Sequence, residues 1–294
     1  MAYSVPNEYI EAFLEDGVVV IPNVLSEEEI SAARAGFHAT LLEHGVDVND
    51  LLNTGHNLAK LSSTHGSGGV LDLYYYKWKL ALNQHPKIVC ALQSLWRASY
   101  GAYRGYGSTS SSSNDSSDLW KHPYCEFDSD KAYMFIDRVC FRLPTHLSDA
   151  IAEEKRGGGK CDATSTISKV HTSDGSKPSK GKKSKSLQRS LTPHLDCCPQ
   201  DMYNNLNKWR PIQAFVSLTD TLMPNEGGLE AARGFHKGFQ RWSEQRKGSQ
   251  EGEGRKLCVG QYTAMRPRED ADVIAKMEHI PCRLLVVCGY IGVL

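Results

Sequence analysis

The sequence predicts an α+β fold in which helices support a β core. Three observations predict it. Capped, helically spaced segments fall in the first hundred residues, and short strand-like runs dominate from residue 132 onward. The length of 294 residues suits one large domain over 1–294 rather than two.

The elements follow in chain order. Gly17-Val18-Val19-Val20-Ile21 is an apolar, β-branched run that reads as a short buried strand. Ser26 is then followed by Glu27, Glu28 and Glu29. This supplies an N-cap, an acidic first turn and the reciprocal glutamate of a capping box. Ile30, Ala33, Phe37 and Leu41 continue at helical spacing, and Gly45 is the expected stop. A second helix is predicted over 87–99, with Ile88, Leu92, Leu95 and Trp96 on one face. Strands are predicted over 132–143, 193–198, 212–219, 228–230 and 261–265.

Two segments lack the apolar residues that a core requires. Residues 105–118 (GYGSTSSSSNDSSD) are predicted to form a mobile Ser/Gly-rich loop. Residues 155–189 form a basic low-complexity insertion, in which ten Lys or Arg stand against Asp162 and Asp174. An anion- or nucleic-acid-binding patch is one reading. A solvated insertion is the preferred one, because aromatics for base stacking are absent.

The chain carries no net charge, so no global field points to nucleic acid or to a membrane surface. No apolar run approaches the roughly 20 residues of a membrane-spanning helix, and the first residues begin no signal peptide. Nine cysteines are scattered without zinc-type spacing. Cys197 and Cys198 are adjacent, which suits neither a simple disulfide nor a C-x-x-C site, so a reduced, cytoplasmic protein is expected. A structural zinc protein is disfavoured on the same spacing.

The chemistry concentrates in Thr192-Pro193-His194-Leu195-Asp196. On an extended strand His194 and Asp196 point to one face and Leu195 to the other. An imidazole and a carboxylate so placed can supply two ligands of a facial His/His/carboxylate iron site. With 11 His in the chain, a chance His-x-Asp is about as expected as a meaningful one, and its neighbours must decide.

Those neighbours carry a family resemblance. The stretch Tyr9-Ile10-Glu11-Ala12-Phe13-Leu14-Glu15-Asp16-Gly17-Val18-Val19-Val20-Ile21-Pro22-Asn23-Val24-Leu25-Ser26 resembles the opening of the phytanoyl-CoA dioxygenase family. So does Asn225-Glu226-Gly227-Gly228-Leu229-Glu230, followed by Gly234-Phe235-His236-Lys237. The His-x-Asp element and the strand from Arg210 to Asp220 lie between them in the family's order. The resemblance covers most of 8–283.

It implies a double-stranded β-helix (jelly-roll or cupin-like) and an Fe(II)- and 2-oxoglutarate-dependent oxygenase that hydroxylates a small organic substrate. In that family 2-oxoglutarate is oxidised to succinate and CO2 while a C–H bond of the substrate is attacked. His194 and Asp196 would be iron ligands. Asp196 argues for hydroxylation over halogenation, because halogenases replace that carboxylate. Gln213 and Phe215 would line the 2-oxoglutarate pocket, although a core Phe is equally expected from the pattern. Arg138 and Arg142 share a strand face with Ile136 and Cys140, and either could meet an anionic co-substrate. A structural ion pair is their other reading.

His236 belongs to an element that precedes the family's distal histidine and is not itself the ligand. Ile280-Pro281-Cys282-Arg283 begins the segment that leads to that histidine, and the sequence then departs from the pattern. The distal His and the 2-oxoglutarate Arg have no counterparts, as in a chain cut short. Weaker iron binding, missing final strands, unpaired sheet edges and an apolar tail are therefore expected. A non-catalytic binding or regulatory protein on the same scaffold is the alternative function.

Overall fold

A computed structural model describes residues 3–100, 128, 131, 134–154, 187–199, 212–224, 227–248, 258–259, 262–283 and 285–289. The fold is mixed α and β with small antiparallel sheets, none of them closed. The chain divides into two compact units, one of residues 1–37, 74–137 and 191–294, the other of 38–73 and 138–190. The loop expected at 105–118 lies outside the described residues, as does 155–186 of the basic insertion.

The first unit is organised by a strand whose two faces are both covered. Helix α1 (Asn7–Asp16) leads through Gly17 into strand β1 (Val18–Ile21). Period-two alternation sends Val19 and Ile21 into a cluster with Phe13 of α1 and Ile88, Ala91 and Leu95 of the later helix. Val18 and Val20 face the opposite way, toward Leu229, Ala231, Ile280 and Cys282. A fully apolar VVVI run is what a two-sided strand requires.

Helix α2 (Glu27–Glu43) begins where the sequence places it. The Ser26 amide donates to Glu29 Oε2 at 2.8 Å, and the Glu29 amide donates to Ser26 Oγ at 3.2 Å. This is the capping box. Gly45, beyond its end, has φ 74° and accommodates the left-handed turn that stops it.

The second unit follows with helix α3 (Leu51–Thr54), a 3-10 turn (Gly55–Leu61) and strand β2 (Val70–Leu71). The first unit resumes with helices α4 (Lys77–Asn83) and α5 (Pro86–Tyr100). The second helix read from sequence is α5, buried through Ile88, Ala91 and Leu95.

The strand expected over 132–143 is reduced to β3 (Val139–Cys140), and 132–133 lie outside the described residues. Its ladder partner β2 is only two residues long, so pairing stops after Val70↔Cys140 and Leu71↔Val139. Helix α6 (Thr145–Glu154) follows. The end of the presumed insertion is no solvated chain, because Gln188 is 6% exposed. Its amide group donates to the Phe141 carbonyl and accepts from the Leu143 amide, and its own backbone N–H donates to Ser148 Oγ. A buried carboxamide with each end partnered belongs to a packed interior.

Back in the first unit come β4 (His194–Leu195), β5 (Ile212–Val216), β6 (Leu229–Ala232), helix α7 (Phe235–Gly248), β7 (Thr263–Ala264), helix α8 (Ala271–Ile274), β8 (Met277–Ile280) and β9 (Leu285–Gly289). An apolar tail is expected after residue 283, and residues 285–289 of it form a strand. β9 is the central strand, antiparallel to β1 on one side and to β5 on the other. The run Leu285-Val286-Val287 is strand-forming whatever family pattern it departs from.

The two outer family-like motifs meet at the end of α1. The Gly234 amide donates to the Asp16 carbonyl at 2.7 Å, and His236 Nε2 donates to the Leu14 carbonyl at 3.0 Å. These satisfy carbonyls that a helix end leaves without partners. Lys237 pairs with Glu15 at 2.5 Å, and Arg233 joins Asp16 at 2.6 Å as well as Glu278. Gly17 has φ 74°, and a Cβ there would collide with the His236 ring.

Gly17→Ala is therefore expected to destabilise the protein by roughly 2 kcal/mol or more, through the left-handed backbone and the collision together. Adding His236→Ala removes the collision alone, so the double variant should lose less than the sum of the singles in urea unfolding.

The same histidine sets a pH dependence. Burial pushes its pKa down, Lys237 adds to this, and the Leu14 carbonyl with Glu15 and Asp16 opposes it. The unfolded state thus binds the proton more readily, and stability from this group is complete above the ordinary value of 6.5. It declines as pH falls from there toward the depressed folded value. His236→Gln should flatten the decline in a series of denaturation midpoints across that range.

Candidate metal centre

The five residues Thr192 to Asp196 hold their shape because a second segment clamps them. β4 pairs antiparallel with β7, His194 opposite Ala264 and Leu195 opposite Thr263. The Met265 amide donates to the Pro193 carbonyl at 2.8 Å, and Thr263 Oγ1 donates to the Cys197 carbonyl at 2.8 Å. Cys198 is bonded to Cys258, 60 residues further along, with Cα atoms 5.6 Å apart. Pro193, His194, Leu195, Cys197 and Cys198 are thereby tied to this second segment.

That disulfide corrects the reading of the adjacent cysteines. Their side chains part: Leu195 and Cys197 enter the core with Phe239 and Met265, while Cys198 is bonded to Cys258. Adjacent cysteines need not compete for one partner. The bond also removes the ground for expecting a wholly reduced protein.

His194 and Asp196 converge as the spacing requires. His194 Nε2 and Asp196 Oδ1 are 3.4 Å apart, with the histidine side chain 4% exposed and the carboxylate side chain at 35%. Nδ1 lies 2.8 Å from the Thr192 carbonyl. A carbonyl only accepts, so Nδ1 carries the hydrogen and Nε2 is the atom left to face Asp196. Burial opposes a charge on the ring, but the Asp196 carboxylate and the Thr192 carbonyl outweigh it, so the His194 pKa is raised. The Tyr262 ring stacks on the imidazole with centroids 4.7 Å apart and planes inclined by 27°.

Behind β7 lies a buried ion pair. Arg246 and Asp270 meet at 3.0 Å with both side chains at 3% exposure. Asp270 also accepts from Trp242 Nε1 at 2.7 Å and from the Arg266 amide, and Arg246 donates to the Ala264 carbonyl at 2.7 Å. The network thus reaches the residue that pairs with His194.

The donor set fits two positions around a divalent metal. Two ligand atoms about 2.1 Å from one ion and near right angles stand about 3 Å apart, close to the separation of these two. The carbonyl on Nδ1 is the usual outer partner of a metal-bound imidazole. Among the described residues no group of three or more His, Cys, Asp or Glu gathers where a metal could sit.

The remaining expected site residues have their own surroundings. Phe215 packs with Val18, Leu229 and Ile280, the core reading of that residue, and Gln213 shares its face of β5, half-buried. Arg138 and Arg142 belong to the second unit. Arg142 donates to the Arg189 carbonyl at 2.7 Å and to Ser190 Oγ at 3.3 Å. His236 serves the end of α1, and His279 lies on β8 against Gly228 and Thr221. Tyr262 and Cys258 escaped the sequence reading, because nothing local to them announces a partner 60 or more residues away, and so did Arg246, whose partner Asp270 lies 24 positions on.

No protein-family model matches the chain, and no curated protein matches it. Among solved structures it is similar to the crystal structure of a hypothetical protein from Escherichia coli, with a TM-score of 0.51 and 12% identity. The match covers 98% of this chain and 63% of that one, so the chain spans under two thirds of its neighbour's length. At that identity the likeness is one of fold alone. Among the described residues no helix is long and apolar enough to cross a membrane.

Replacing Cys198 and Cys258 together by Ser should destabilise the protein by about 4 kcal/mol on the loop-entropy scale. Urea unfolding with and without reductant measures it: reductant should weaken the parent protein and leave the double variant unchanged.

Proposed function

We propose that His194 and Asp196 are two ligands of a non-haem Fe(II) centre, in a 2-oxoglutarate-dependent oxygenase similar to the phytanoyl-CoA dioxygenase family. The observation that carries this reading is the convergence of His194 Nε2 and Asp196 Oδ1 at 3.4 Å, with Nδ1 already committed to the Thr192 carbonyl. A surface His–Asp pair needs no fixed tautomer, no buried ring and no strand clamp around it. The double-stranded β-helix belongs to the same proposal, supported by a β1–β9–β5 sheet that faces the β6–β8 pair across an apolar layer.

Bound Fe(II) with 2-oxoglutarate would supply the oxidising power to hydroxylate a C–H bond of a small organic substrate. The chain's own part is to present Nε2 and a carboxylate oxygen on one face. Burial of His194 keeps water from competing for Nε2, and the partly open Asp196 leaves a side from which small molecules can approach. A cytoplasmic setting, expected from the cysteine pattern, is in tension with the Cys198–Cys258 bond.

Anaerobically loaded protein given 2-oxoglutarate and then oxygen should form succinate, and His194→Ala should abolish it. A folded protein that neither binds Fe(II) nor turns over 2-oxoglutarate would sink the proposal. Partner binding that survives His194→Ala and is lost on deleting 155–186 would favour a non-catalytic scaffold instead. That deletion stops short of Gln188 because of its buried hydrogen bonds.

A further inference from the structure

We infer that Tyr262 is a positioning residue for His194, one that sets the plane of the imidazole and the tautomer it presents. The inference rests on the metal-ligand reading of His194 and concerns how that ligand is kept ready.

Tyr262 acts on His194 in two ways at once. Its ring covers the imidazole face at 4.7 Å between centroids. Its hydroxyl lies 2.9 Å from Thr192 Oγ1, and Thr192 is the residue whose carbonyl takes the Nδ1 hydrogen. The side chain therefore holds both the ring and the backbone group that orients the ring. A half-turn about the Cβ–Cγ bond would exchange the nitrogen and carbon positions of an imidazole. Here such a turn would break the bond to Thr192 and disturb a stacked pair.

Tyr262 is itself held. Its amide and carbonyl exchange hydrogen bonds with Val259 at 3.1 and 2.9 Å. Cys258, one residue before Val259, is bonded to Cys198, and Thr263, one residue after Tyr262, pairs with Leu195. The tyrosine cannot drift from the histidine without breaking a ladder or a covalent bond. A residue that merely filled space would need neither the hydroxyl contact nor this anchoring. Outer-sphere partners of this kind are worth about 10–100-fold in metal affinity.

The test uses the full chain with Co(II) as the metal probe, followed by visible absorbance, alongside nitrogen-15 NMR of the His194 tautomer in metal-free protein at alkaline pH. Tyr262→Leu should weaken Co(II) binding by about tenfold or more and populate the second tautomer. Tyr262→Phe keeps the ring and removes only the hydroxyl, so it should fall between Leu and the parent in both readouts. It also supplies the result if the Leu variant does not fold. Co(II) affinity and tautomer unchanged in the folded variants would overturn the inference. If the parent protein binds no Co(II), the metal reading of His194 fails, and the tautomer readout alone still decides the role of Tyr262.

Discussion

The close approach of Gly17 to His236 is the constraint on which the first unit depends. The chain leaves α1 in a left-handed turn and must enter β1 at once. Only a residue without a side chain leaves room for the imidazole that caps the helix. Because Gly234 and His236 take the carbonyls of Asp16 and Leu14, α1 ends where β1 must begin. β1 then serves two cores at once, and β9 pairs with it along its whole length.

This contact also joins two stretches that stand far apart in the chain, around residues 9–26 and 227–237, into one joint. Two charged residues of the joint, Arg233 and Lys237, answer the acids Asp16 and Glu15 at the end of α1, where cations also complement the helix dipole. A glycine, a histidine and a lysine at these spacings have a structural reason, independent of any catalytic role. His236 is thus tied to the end of α1.

The His194–Asp196 pair depends on another long-range clamp. The segment from Cys258 to Met265 grips Thr192 to Cys198 by a disulfide, a two-residue ladder, three further hydrogen bonds and a stacked ring. Such density of ties is what a preorganised ligand pair needs, since a carboxylate and an imidazole left on a free strand would scatter. The Arg246–Asp270 pair extends the support by fixing Ala264, on the strand opposite His194.

Local signals in the sequence were sufficient for the capping box at Ser26 and Glu29, for α5, for β1, and for the common face of His194 and Asp196. Each depends on residues within a few positions of one another, where helical or strand periodicity is the whole of the physics. Tertiary structure decided the rest. It set the length of β3 through its two-residue partner, the central place of β9, the pairing of Cys198 with Cys258, and the tyrosine on the imidazole. These are contacts between residues dozens to hundreds of positions apart, and no local period encodes which strand, thiol or ring will arrive opposite another.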